Sequence, residues 1–232
     1  AIHRLEHNDV GYLAEKLLYD TNEHVALATV DFVGKQNDAP TFQPLVNHLS
    51  SDFLGRLSYF QLTQSKANIV GKLNQAFNQY ETDNQFDFNQ KLPLIKVLKI
   101  LKENGSDEAK AILLNKISYS DYEIRQLAVQ LLKSLDFQSV EARLIVKQAI
   151  EATTQHCAWI TATKLDMAKA GKQNTSIWEA IEMELQAARN EIFDLLSFIY
   201  DQEAIAQIVT NLNTNLPERE VLAIEMSDIL LE

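Results

Sequence analysis

Between residues 122 and 135 the chain reads YEIRQLAVQLLKSL, with apolar Ile124, Leu127, Ala128, Leu131, Leu132 and Leu135 at steps of three and four. That period lays them in one stripe along an α-helix. Asp121 stands just ahead, where a carboxylate accepts from amides that the first helical turn leaves unpaired. Upstream, residues 107–117 (DEAKAILLNKI) predict a second helix. Residues 118–120 between them are a connection of the length that joins antiparallel helices. The expected unit is helix, tight turn, helix.

The pattern returns at both ends of the chain. Residues 10–19 (VGYLAEKLLY) lead through Asp20, Thr21 and Asn22 into a helix over 23–34. Laid over the first stripe without gaps, Val25 falls on Ile124, Val30 on Val129, Phe32 on Leu131 and Val33 on Leu132, a spacing of 99 residues. Residues 222–230 (LAIEMSDIL) fall on residues 127–135 (LAVQLLKSL), a spacing of 95. Helix-pair repeats of about 40 to 47 residues put both spacings near two repeats.

Elsewhere the pattern predicts a short helix over 42–49, started by Pro40 and Pro44, and a pair over 52–62 and 66–80. The polar stretch 81–85 is the best place for an exposed loop or internal boundary. A helix over 90–103 holds Pro93 in its first turn and stops at Asn104-Gly105, residues suited to a left-handed C-cap. Two long helices, 139–170 ending at Gly171 and 176–200, precede a last pair over 203–212 and 217–231 with Pro217 at its start. The expectation is an all-α chain without strands. Five or six antiparallel helix pairs stack into one α-solenoid domain over residues 1–232, because no pair alone can bury its apolar face.

Composition adds to this picture. Only 6 Gly and 4 Pro occur in 232 residues, too few for the turns of a β-rich fold. The single cysteine, Cys157, excludes an internal disulfide and a cysteine-based zinc cluster, and points to a reducing compartment. No run of 18 apolar residues occurs, and no signal peptide opens the chain. Charge is uneven. From Asn174 onward there are 12 acidic residues against two basic ones, Arg189 and Arg219, whereas the first 173 residues are nearly balanced within a total of −11. Such a quarter repels phosphate backbones and anionic lipid and attracts a basic partner, or is a solvated acidic face that keeps the chain soluble.

Stacked pairs of this length resemble HEAT repeats, of the armadillo-like class. Within residues 189–232, Arg189, Phe193, Leu195, Leu196 and Tyr200 lead into Ala223-Ile224-Glu225, Asp228, Leu230 and Leu231. This stretch of 44 residues resembles the HEAT-repeat regions attached to bacterial membrane transporters of the ATP/ADP-translocase and major-facilitator types. Ser227 departs from that pattern, which has a larger apolar residue there. The resemblance implies the cytoplasmic part of a longer transporter-like protein, tethered at the inner membrane through segments outside this chain. The start at Ala1 and the uncapped stop at Glu232 carry the same expectation of a fragment.

Candidate chemistry is sparse. His3 and His7 share a helix face but lack a third ligand, and His24 and His48 stand apart from them. His156 and Cys157 are adjacent, so on a helix they point about 100° apart and form no nucleophile–base dyad. The polar run Thr153-Thr154-Gln155-His156, with Trp159, Thr161 and Thr163, either lines a groove or holds threonines bonded back to their own helix. Lys91, Lys96, Lys99, Lys102, Lys110 and Lys116 form a local basic cluster, read as a solvated face. Asp121, Glu123 and Arg125 read as caps and charge ladders between repeats. Asn104-Gly-Ser106 and Asn174-Thr-Ser176 match the glycosylation pattern, which a cytoplasmic chain does not use.

We therefore expect no catalytic residues, cofactor-binding residues or metal ligands. The expected function is a non-catalytic interaction or regulatory scaffold. Its partner is a protein, basic by the charge argument, or the membrane portion of its own longer chain, and not nucleic acid. The rival class is an enzyme of HEAT-like fold, bilin-lyase-like or DNA-glycosylase-like. A glycosylase wants a basic concave surface throughout, against which the acidic C-terminal quarter argues.

Overall fold

The computed structural model describes residues 7–36, 39–65, 69–82, 88–173, 175–214 and 216–231. Among them the chain forms twelve α-helices and no strand, as the hydrophobic period predicts. In order they are α1 (His7–Leu18), α2 (Glu23–Gln36), α3 (Ala39–Asn47), α4 (Gly55–Gln64), α5 (Val70–Thr82), α6 (Phe88–Asn104) and α7 (Asp107–Lys116). There follow α8 (Tyr122–Lys133), α9 (Arg143–Lys169), α10 (Ser176–Leu196), α11 (Gln202–Leu212) and α12 (Pro217–Leu231). They fall into two compact units, Ala1–Leu113 and Leu114–Glu232.

The N-terminal unit packs α1 against α2 and α3, both of these against α4, and α5 against α6. A single 3-10 turn, His48–Ser50, wedges between α4 and α6. Val30 and Val33 of α2, Phe42 and Leu45 of α3, Leu73 and Phe77 of α5, and Leu98 and Leu101 of α6 are fully enclosed. Several boundaries differ from the sequence reading: α4 begins at Gly55, not 52, α9 begins at Arg143, not 139, α10 ends at Leu196, not 200, and two more involve prolines. α3 begins at Ala39 and takes in both Pro40 and Pro44, and α6 begins at Phe88, which moves Pro93 beyond the first turn. Each inner proline leaves the carbonyl four residues back without its helical donor, a cost met by burying the ring: Pro44 and Pro93 are both buried. Of the polar stretch 81–85, Glu81 and Thr82 complete α5 and residues 83–85 lie outside the described residues.

Helix ends follow local chemistry. Gly105 takes φ +63° beyond α6, and its N–H donates to the Leu101 carbonyl at 3.1 Å. Gly171 takes φ +68° after α9, and the N–H of Lys172 reaches the Met167 carbonyl at 3.0 Å. Past α8 the left-handed residue is not glycine but Asp136, at φ +47°. The Asp121 carboxylate accepts from the N–H groups of Glu123 at 3.1 Å and Ile124 at 3.2 Å, capping α8. Thr175 and Asp201 cap α10 and α11 in the same way.

In the C-terminal unit α9 runs along α10, α10 touches α8 and α11, and α11 runs along α12. Fewer of the buried hydrophobic side chains of the described residues belong to this unit than to the N-terminal one; Ile117, Leu195 and, largest of them, Phe198 are fully enclosed. Beside them Ile124, Val129, Leu132, Val146 and Ile208 are buried, with the small residues Ala128, Ala149 and Ala188 between the helices. In α9 and α10, no described residue from 161 to 187 is buried.

Candidate functional site

The polar run singled out on α9 meets α8 and α10 in the C-terminal unit. α8 carries Tyr122 and Arg125 one turn apart, and α10 carries Ala188, Glu191 and Leu195 on its inward face at steps of three and four. Glu191 therefore occupies a core position. Its side chain is 2% exposed, and Oε1 lies 3.4 Å from Nε of Arg125, itself 15% exposed. The Arg125 guanidinium also donates from Nη1 to the Tyr119 carbonyl at 2.9 Å, and lies over the Tyr122 ring at 5.3 Å.

Thr153 is buried, with Oγ1 3.0 Å from the Ala149 carbonyl and 3.2 Å from Oε1 of Glu191. One hydroxyl proton serves one of these acceptors at a time. Oε2 of Glu191 is buried with no hydrogen-bond partner. A turn further along, Nε2 of His156 meets Oε1 of Glu184 at 3.0 Å, with the rings of Tyr122 and Trp159 on either hand at 6.1 and 6.4 Å. Burial first, then the negative Glu191 and Glu184, pushes the Tyr122 phenol up. Burial and then Glu191 push up the Cys157 thiol in the same way.

This geometry supports cohesion of three helices more readily than chemistry. A thiol held protonated is a poor nucleophile. Nε2 of its neighbour His156 is turned to Glu184 on another helix. The polar run divides: Thr153 faces Glu191, Thr154 and Gln155 face solvent, and Thr161 and Thr163 donate back to the carbonyls of Cys157 and Trp159. Glu191 is the residue the sequence reading missed. Its charge suits a solvated face, and the available signal was its place between Ala188 and Leu195 in the apolar step of α10.

The remaining candidates are dispersed. His3 lies outside the described residues, and so does the side chain of His7. His24 is exposed, and His48 is buried against the Tyr19 ring at 4.5 Å. Lys96, in the middle of the lysine run, turns inward: Nζ donates to the Leu49 carbonyl at 2.6 Å, and burial lowers its pKa. Lys102 pairs with Glu103 at 3.2 Å. No group of three or more potential metal ligands occurs among the described residues. None of their helices is long and apolar enough to cross a membrane.

The surface of the C-terminal unit is more distinctive. Its part from Asn174 onward carries nine exposed carboxylates: Glu179, Glu182, Glu184, Asp201, Glu203, Glu218, Glu220, Glu225 and Asp228. Both arginines of this stretch are occupied within the unit. Arg189 donates from Nη2 to Oδ1 of Asn213 at 2.7 Å, and Arg219 from Nη1 to Oδ1 of Asn211 at 3.2 Å. Eleven of the sixteen exposed large hydrophobic side chains of the described residues lie between Val140 and Ile229. Between α10 and α11 runs a groove of about 670 Å³, lined in part by Asn190, Phe193, Asp194, Ile205, Val209 and Asn213. A second, of about 440 Å³, lies between α11 and α12.

No family model and no curated protein matches this chain. Among solved structures it is similar to an engineered protein from a structural genomics programme, at 16% identity, over 81% of this chain and 98% of that one. The TM-score of that likeness is 0.31, too low to identify either fold or function.

Proposed function

We propose that this chain is a non-catalytic interaction scaffold of stacked, HEAT-like helix pairs, whose C-terminal unit holds a basic protein partner. One observation carries the reading: exposed apolar side chains and exposed carboxylates gather on the same unit, where Arg189 and Arg219 are turned to Asn213 and Asn211. Apolar surface left in water at this density marks a surface that a partner covers. Carboxylates around it steer a basic partner in and repel nucleic acid and anionic lipid. The succession of α9 on α10, α10 on α11 and α11 on α12 supports the stacked arrangement.

The resemblance over residues 189–232 supplies a setting, the cytoplasmic side of a longer transporter-like protein. The full reading frame tests it, and a frame without membrane helices ends that part of the proposal. The rival enzymatic reading draws on the bare Oε2 of Glu191. That residue lines neither groove described above.

Affinity capture with the purified chain tests the main reading, followed by titration of the captured protein in recombinant form. The expected partner is basic, binds with a defined stoichiometry, and weakens by about tenfold or more from 50 to 200 mM salt. Reversing Glu203, Glu218 and Glu220 to lysine abolishes the interaction. A partner that binds the reversed variant as well as the natural chain overturns the reading.

A further inference from the structure

The apolar residues of α12 are spread around its circumference, interleaved with charged ones, instead of gathering in one inward stripe. Its inward side is used: Ala223 is buried, and Arg219 bonds to Asn211 of α11. The opposite side is not covered. Val221, Ile224 and Ile229 are 56%, 58% and 77% exposed, with Leu222 beside them at 39%. At 100° per residue, Val221, Ile224, Glu225, Asp228 and Ile229 fall on one side of the helix, with Glu218 at its N-terminal end. All three of these carboxylates are exposed.

We infer that this face is the seat of the partner, and that the element seated there is a basic amphipathic helix. The inference rests on the reading above and names its surface. The face is a ridge of three branched side chains from Val221 to Ile229, about 12 Å long at 1.5 Å per residue, which suits the groove of one partner helix of about two to three turns. The carboxylates within and beside the ridge want lysines or arginines on that helix, flanking an apolar stripe at steps of three and four. A second copy of this chain fits badly. A twofold contact through this face sets Glu225 and Asp228 against their own counterparts, with no cation of α12 turned their way.

The test uses the whole chain and a synthetic peptide of the length of α12, with leucines in one stripe and lysines on its flanks. A scrambled peptide of equal composition and a glutamate-for-lysine peptide are the controls. Titration calorimetry gives affinity, hydrogen exchange gives location, and sedimentation gives oligomeric state. The expected result is binding that slows exchange over residues 217–231 and is about tenfold or more weaker for the scrambled peptide. The glutamate peptide does not bind. I224S/I229S loses about tenfold or more through apolar contact, and E225K/D228K loses affinity and flattens the salt dependence. E151K, on α9 and outside the acidic stretch, stays within about threefold of the natural chain. Circular dichroism verifies that each variant is folded.

Equal binding of the scrambled peptide, with I224S/I229S retaining affinity, overturns the seat on α12 and leaves the acidic interaction unit standing. A dimer of the chain that I224S/I229S dissolves also overturns it, in favour of a second copy. Failure of every lysine peptide to bind at low salt overturns this inference and the proposed function together.

Discussion

Arg125 of α8 and Glu191 of α10 face each other 66 positions apart in sequence, guanidinium Nε to carboxylate Oε1 at 3.4 Å, both withdrawn from solvent. Removing one partner of such a pair leaves an uncompensated charge indoors, which costs more than the pair contributes. Arg125→Ala and Glu191→Gln are each expected to destabilise by about 3 kcal/mol in urea unfolding. R125M/E191L together fall within about 1 kcal/mol of the natural chain. A double variant as unstable as R125A contradicts the account.

The two glycines near the starts of α4 and α5 predict opposite signs. A Cβ on Gly71 meets nothing within 4 Å, so G71A stabilises by about 0.5–1 kcal/mol through helix propensity. A Cβ on Gly55 lands 2.6 Å from Nζ of Lys96 and 2.9 Å from the Leu49 carbonyl, the two atoms bonded to each other at 2.6 Å. G55A is therefore destabilising, by about 1–3 kcal/mol, because the backbone carbonyl cannot move aside as a side chain would. Thermal melts of the two variants give the signs directly.

The Cys157 thiol and the Tyr122 phenol both lie above their ordinary values, chiefly through burial and then through Glu191. In the folded chain each holds its proton longer than in the unfolded one. Stability from these groups is thus complete below the unfolded thiol value and declines as pH rises through the folded values. C157S/Y122F should flatten the alkaline limb of the stability curve. Iodoacetamide should alkylate Cys157 more slowly in the folded than in the unfolded chain near pH 8.5, and faster in E191Q than in the natural protein.

The outer parts of α9 and α10, residues 161–187, hold to each other without a buried side chain among those described. Lys164 joins them, 2.7 Å from Oε1 of Glu182 and over the Trp178 ring at 4.9 Å. Exposed pairs of this kind contribute little, because solvent screens them. Amides of 161–187 should exchange by local opening well before those of α8, which exchange only on global unfolding. K164A speeds the first set by no more than a few-fold and leaves the melting temperature unchanged. Equal protection of both regions overturns this picture.

Helix content was legible because caps and apolar steps are local. Asp121, Gly105 and Gly171 each mark an end that the structure keeps. Asp136 was not legible as a terminus, since a left-handed residue there is chosen by the N–H of Phe137 reaching the Leu132 carbonyl at 3.2 Å, not by residue type. Pro44 and Pro93 misled in the other direction, because burial of their rings offsets a lost helical bond. The cluster on α9 was half visible. Thr153 and His156 stood out as polar interruptions, but Glu191 resembled any surface acid until α8 supplied Arg125 from 66 residues away.

The carboxylates on the outer side of α12 also bear on colloidal behaviour. Glu218, Glu225 and Asp228 act as gatekeepers beside Val221, Ile224 and Ile229, keeping that ridge from adhering to its like. Their guard is titratable. As pH falls toward the isoelectric point near 4.9, mutual repulsion between molecules fades and the ridge becomes sticky. Acid storage should therefore cloud concentrated solutions at a pH where the helices are still intact, and I229S should stay clear.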